Sequence, residues 1–140
     1  MVARIPILDV APVIEAGRYP AKAVVDEPFT VSATVIRDGH DRLGAGVVLF
    51  DPDGTARRRI PMRATGQPDR YTATVQADRE GAWAFRIESW SDPYATWRHD
   101  AEIKIAADVD VELMLTEGAL LLARAFRKLR RAEPMDKEIL

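Results

Sequence analysis

The chain has 140 residues, 47% apolar and 30% charged, with a net charge of −2 and no cysteine. That length suits one compact domain with a short appendage, and the apolar share supplies a core. The charge excludes a global field that would recruit nucleic acid or an anionic membrane, and the lack of cysteine excludes disulfides and thiolate zinc sites.

The N-terminus, MVARIPILDVAPVIEAG, is interrupted by prolines and lacks the apolar stretch of a signal peptide. No run approaches the roughly 20 apolar residues of a transmembrane helix. These features predict a soluble, cytoplasmic protein with no membrane or nucleic-acid partner.

In chain order, residues 4–14 are apolar but carry Pro6 and Pro12. Proline donates no ladder hydrogen bond, so an edge strand is predicted. In FTVSATVI, residues 29–36, Phe29, Val31, Ala33 and Val35 alternate with Thr30, Ser32 and Thr34, giving a strand with one apolar face. RDGHDRLG turns the chain. AGVVLF at 45–50 reads as a central strand, and DPDG at 51–54 as a tight turn. TARRRIPMR reads as a weaker edge strand. RYTATVQ places Tyr71, Ala73 and Val75 on one face, and AWAFRIESW does so for Trp83, Phe85 and Ile87. Asp78, Gly81, Trp83 and Phe85 have the spacing of a tyrosine corner with Trp in place of Tyr.

SDPYATWRHDAEIKI, residues 91–105, then predicts a last strand over 94–105. Period-two geometry puts Ala95, Trp97, His99, Ala101, Ile103 and Ile105 inward and Thr96, Arg98, Asp100, Glu102 and Lys104 outward. On that reading Trp97 plugs the core, His99 is partly buried and hydrogen-bonded, and His99 and Asp100 point apart and form no dyad. The expected fold is mainly β: an Ig-like antiparallel β-sandwich of about seven strands over residues 1–107.

From residue 108 the period changes. DVDVELMLTEGALLLARAFRKLRR predicts a C-terminal amphipathic α-helix within a helical segment, 108–140. Leu115, Ala119, Leu122, Phe126 and Leu129 form its apolar stripe. Asp108 or Asp110 can cap its start, Pro134 ends it, and Arg124, Arg127, Lys128, Arg130 and Arg131 lie late, where the helix dipole favours cations. Gly118 in its middle costs about 1 kcal/mol against alanine, so packing must hold the helix. The stripe needs cover from the sheet or from a partner, which makes Leu115, Leu122, Phe126 and Leu129 the interface candidates.

Chemistry is sparse. Ser32, Ser89 and Ser91 lie in no nucleophile-elbow context, and His40 and His99 lack further ligand spacing. Asp38, Asp41, Asp51 and Asp53 read as turn formers. There is no P-loop and no dinucleotide fingerprint. No catalytic residue, metal site or cofactor is therefore assigned. Trp90 and Tyr94 flank the SDP turn and are the candidates for stacking on a sugar; the competing reading is that they cap the end of the core.

Three stretches carry a resemblance: RIPILDVAPVIEAGRYPAKAVVDEPFTVSATVIRDGHD (4–41), DPYATWRHDAEIKI (92–105) and DVELMLTEGALLLARA (110–125). PAKAVV and ATWRH are the most specific, and residues 55–80 match loosely. Together they are similar to the N-terminal region of the bacterial α-1,4-glucan:maltose-1-phosphate maltosyltransferases. The resemblance implies a parent enzyme that moves maltosyl units from α-maltose 1-phosphate onto the non-reducing ends of α-1,4-glucans. That enzyme would retain configuration through a carboxylate nucleophile and a carboxylic acid/base on a (β/α)8 barrel. The barrel would follow this chain, so no catalytic residue carries over. The resemblance also implies a homodimer, with the sandwich and the following helices as an accessory and dimerisation domain. A stand-alone carbohydrate-binding or Ig-like interaction module is the alternative.

Overall fold

The computed structural model of the chain describes residues 5–37 and 39–132. The chain divides into two compact units, Met1–Ser91 and Asp92–Leu140. The first is a β-sandwich. Strands β1 (Ile7–Ala11), β2 (Phe29–Val35), β6 (Arg70–Val75) and β5 (Arg63–Ala64) form one antiparallel sheet in the order β1-β2-β6-β5. Strands β4 (Ile60–Pro61), β3 (Leu43–Phe50) and β7 (Ala84–Ser91) form the other in the order β4-β3-β7.

The period-two faces are as expected. Val31, Ala33 and Val35 of β2 have no exposed surface, and Ala73 and Val75 of β6 join them. Ala45, Val47 and Leu49 of β3 close the core from the second sheet, with Phe85 and Ile87 of β7 half-buried at its margin. Burying one such aliphatic side chain contributes about 1.5–3 kcal/mol, so this alternation is the main force holding the two sheets face to face.

The proline-flanked first strand lies at an edge, its pairing with β2 slipping between Leu8 and Ala11. Arg70 pins that irregularity: its guanidinium donates to the Asp9 carbonyl at 2.7 Å, to Ser32 Oγ at 2.6 Å and to Thr34 Oγ1 at 3.2 Å. The expected strand TARRRIPMR is two short strands instead. β4 pairs with β3 and β5 with β6, and the buried Met62 sits where the chain changes sheets. Asp38 and Pro134 lie outside the described residues.

The DPDG turn is built on Asp51. Its Oδ1 accepts from the backbone N–H groups of Asp53 and Thr55, each at 3.0 Å. Its Oδ2 meets Arg79 at 3.3 Å and Arg57 at 3.4 Å. Burial pushes this carboxyl up, but the two backbone donors and the two guanidiniums outweigh it and hold Asp51 below the usual carboxylate range. The corner spacing has a physical counterpart. Trp83 Nε1 donates to the Arg79 carbonyl at 2.9 Å, and Gly81, at φ +137°, brings its backbone against the Pro52 ring.

One strand is corrected. Residues 94–105 are not a strand but most of helix α1 (Pro93–Ala106). Asp92 is its N-cap, accepting from Ala95 N at 2.9 Å, and Pro93 opens the first turn with its φ already helical. The inward and outward sets therefore dissolve. Of the inward set, Ala101 is buried, whereas His99, Ile103 and Ile105 are exposed. The division expected after residue 107 moves with the strand, to between Ser91 and Asp92.

The second unit is a helical hairpin rather than one helix. After a turn containing Asp108 and Asp110, both at positive φ, α2 (Val111–Ala132) begins. The Asp110 carbonyl accepts from Met114 N at 2.9 Å, and its carboxylate meets Lys104 Nζ at 3.3 Å across the turn. Trp97 does not plug the sandwich. It packs on α2, over Gly118, and its Nε1 donates to the Met114 carbonyl at 2.7 Å.

Candidate functional site

Trp90 lies on the outer face of the β4-β3-β7 sheet, where β7 presents Arg86, Glu88 and Trp90 opposite Val48, Gly46 and Gly44 of β3. Two missing side chains make room. A Cβ on Gly44 would fall 2.5 Å from Trp90 Nε1, and one on Gly46 would fall 2.6 Å from Arg59 Cδ. The indole thus lies across Gly44, and the Arg59 stem lies across Gly46. The Arg59 guanidinium then stands over the indole, 4.7 Å from its centroid, and its Nε reaches Glu88 at 3.1 Å. Arg86 grips the other oxygen of Glu88 at 2.6 Å and covers the Phe50 ring at 5.2 Å. The Arg86 hydrogen bond, opposed by burial and aided by Arg59, keeps the Glu88 carboxyl below its ordinary value.

This ribbon satisfies itself. A sugar ring stacks on an open aromatic face, and here a cation already occupies a face of the indole. Tyr94 lies in the first turn of α1, partly exposed, with its ring 5.8 Å from that of Trp97. The two sugar-contact candidates belong to different units of the chain, and the structure brings no further group to join them. Among the described residues no group of three or more His, Cys, Asp and Glu side chains could hold a metal ion. No described helix is long and apolar enough to cross a membrane.

The interface candidates stand out more clearly. Met114, Gly118 and Leu121 make the α2 face that is buried or half-buried, and Trp97 and Ala101 supply the matching surface of α1. The predicted stripe is another face. Leu115, Leu122, Phe126 and Leu129 are 58%, 53%, 61% and 67% exposed. Leu113 and Leu120, which the stripe reading missed, are also half exposed on a further side. α2 is therefore apolar well beyond the face that α1 covers, as in a helix surrounded by other protein. Gly118, read from the sequence as a costly helix position that packing must offset, is where the Trp97 indole lies against α2.

Residues 3–139 match the family described as alpha-1,4-glucan:maltose-1-phosphate maltosyltransferase, domain N/S. The chain is 54% identical over 126 residues to alpha-1,4-glucan:maltose-1-phosphate maltosyltransferase 1 of Streptomyces coelicolor, covering 89% of this chain and 19% of that protein. It is 41% identical over 128 residues to the Arcanobacterium haemolyticum maltosyltransferase, covering 90% and 18%. Identity to the Mycobacterium tuberculosis (strain ATCC 25618 / H37Rv) protein is 37% over 148 residues, covering 87% and 21%. The chain thus spans about a fifth of the length of the curated relatives it matches.

Proposed function

The chain belongs to the family of the N/S domain of α-1,4-glucan:maltose-1-phosphate maltosyltransferases, and from that premise we propose that it is the N-terminal accessory and dimerisation domain of such an enzyme. The parent would transfer maltosyl units from α-maltose 1-phosphate to α-1,4-glucans in the bacterial cytoplasm. The sandwich, of immunoglobulin-like character, serves as scaffold, and the helical hairpin serves as the assembly element.

The observation that carries this reading is the exposed apolar surface of α2. Exposed leucines and a phenylalanine repeating along one helix are an interaction surface. A second copy fits its charges. Glu112 and Glu117 lie in the first half of α2, and Arg124, Arg127, Lys128, Arg130 and Arg131 in the second. Two α2 helices packed antiparallel about a two-fold axis would set each acidic half against a basic half. The Leu113 and Leu120 side would face the parent enzyme's remaining domains.

The test is a transfer assay with α-maltose 1-phosphate and a maltooligosaccharide acceptor. The full-length protein is expected to lengthen the acceptor, and the 140-residue chain by itself is not. Turnover by the isolated chain, or none by the full-length protein, would overturn the reading.

A further inference from the structure

We propose that the outer face of the β1-β2-β6-β5 sheet carries a binding site for a phosphate group, built by the guanidiniums of Arg70 and Arg63 and the hydroxyls of Ser32, Thr34 and Thr72. The inference stands on this face alone and does not depend on the chemistry of the parent enzyme.

Strand register puts the five side chains on one surface. Val31, Ala33, Val35, Ala73 and Val75 fill the core, so the residues that alternate with them on β2 and β6 point outward. Ser32 pairs with Thr72, and Thr34 with Arg70. Thr72 pairs on its other side with Arg63 of β5. Thr72 thus stands between Ser32 and Arg63, one strand spacing of about 4.8 Å from each. Arg70 precedes Thr72 by two residues on the same face and leans onto β2, where its guanidinium reaches Ser32 and Thr34.

Arg70 is the unusual charge. Two described arginines are half-buried, Arg37 and Arg70. Arg37 meets the Asp41 carboxylate at 3.1 Å. Arg70 meets no carboxylate among the described residues: its acceptors are the Asp9 carbonyl and the Ser32 and Thr34 hydroxyls, all neutral. A charge drawn out of water is normally paired, because neutral acceptors do not offset its lost hydration. Three of the five guanidinium N–H donors are used, which leaves one on Nε and one on Nη2. Ser32 and Thr34 accept from Arg70 and keep their own O–H protons to give. Among the described residues neither the Thr72 hydroxyl nor the exposed Arg63 guanidinium has an acceptor. The face therefore holds donors in excess and a charge without a counter-charge. A phosphate group answers both, bringing negative charge and several acceptor oxygens that match the guanidinium fork.

Titration of the isotope-labelled chain with inorganic phosphate, followed by NMR at fixed ionic strength, tests this. Saturable shifts are expected at the backbone amides of Ser32, Thr34 and Thr72 and at the Nε–H of Arg63 and Arg70, with none when chloride replaces phosphate. Arg63→Gln, at an exposed side chain bonded to no described residue, is expected to weaken binding about tenfold, the size of one charge-assisted hydrogen bond, and to leave the thermal midpoint unchanged. Arg70→Lys keeps the charge but loses the fork, and is expected to lose saturation. Glucose 1-phosphate titrated alongside separates the two sources of the group. Tighter binding than inorganic phosphate assigns the site to a phosphate monoester, and weaker binding assigns it to the free ion. No saturable shift with either compound, the same response to chloride, shifts spread over the arginines of α2, or undiminished binding in Arg63→Gln would each overturn the proposal.

Discussion

Gly118 of α2 lies against the indole of Trp97 of α1, and that same indole donates its N–H to the Met114 carbonyl one turn away at 2.7 Å. One contact thus sets both the distance between the two helices and their register. Any Cβ at position 118 would enter the indole. Gly118→Ala gains about 1 kcal/mol of helix propensity but overpacks the contact at a cost of about 1–3 kcal/mol. The expected result is a lower urea midpoint for the helical signal in circular dichroism. Trp97→Phe keeps most of the ring and loses the hydrogen bond, lowering stability by about 1 kcal/mol. A higher midpoint for Gly118→Ala would mean the helices do not meet there.

Asp92 caps α1 through Ala95 N. Asp92→Ala is expected to destabilise the hairpin by about 1 kcal/mol, while Asp92→Asn, which keeps an acceptor, should stay close to wild type. Chemical denaturation of the two variants side by side checks the pair. Equal loss in both would assign the effect to charge instead of the cap.

How far these features were legible in the sequence depends on what each one rests on. β2 and β6 could be read residue by residue because a half-buried strand writes its two faces as alternation. Residues 94–105 alternate as well, since Trp97, His99, Ala101, Ile103 and Ile105 are spaced by two, and the local pattern pointed the wrong way. The opposing signal stood just before it in Asp92-Pro93, an N-cap followed by proline at the first helical position. The split of 55–63 into β4 and β5 was hidden because strands of two residues are made by their partners. The apolar stripe of α2 was legible, but which side α1 covers was not, because that depends on the Trp97–Gly118 contact between two elements.

Asp51 gives the sandwich a pH dependence. Its folded carboxyl, held low by the Thr55 and Asp53 backbone donors and by Arg79 and Arg57 against the effect of burial, is more acidic than in the unfolded chain. The unfolded state therefore binds the proton more tightly. The stabilisation is present above the unfolded carboxylate value of about 3.9 and is lost as pH falls through the lower folded value. Asp51→Asn is expected to lower stability at neutral pH and to flatten the acid limb of the melting temperature below about pH 4. An acid limb of unchanged steepness would show that Asp51 does not supply it.

The alternative of a carbohydrate-binding module makes a contrary claim about Trp90 and Tyr94. With Arg59 over the Trp90 ring at 4.7 Å, the isolated chain is expected not to be retarded in affinity electrophoresis through glycogen. Retardation abolished by Trp90→Ala or Tyr94→Ala would establish the module instead.

The central claim is that the exposed face of α2 is an assembly surface, and the solution mass measures it most directly. Light scattering of the chain across a concentration series is expected to show a dimer that dissociates on dilution, and the double variant Leu122→Asp, Phe126→Asp is expected to remain a monomer of 15.6 kDa. A wild-type monomer at every concentration, or a dimer indifferent to those two substitutions, would contradict it.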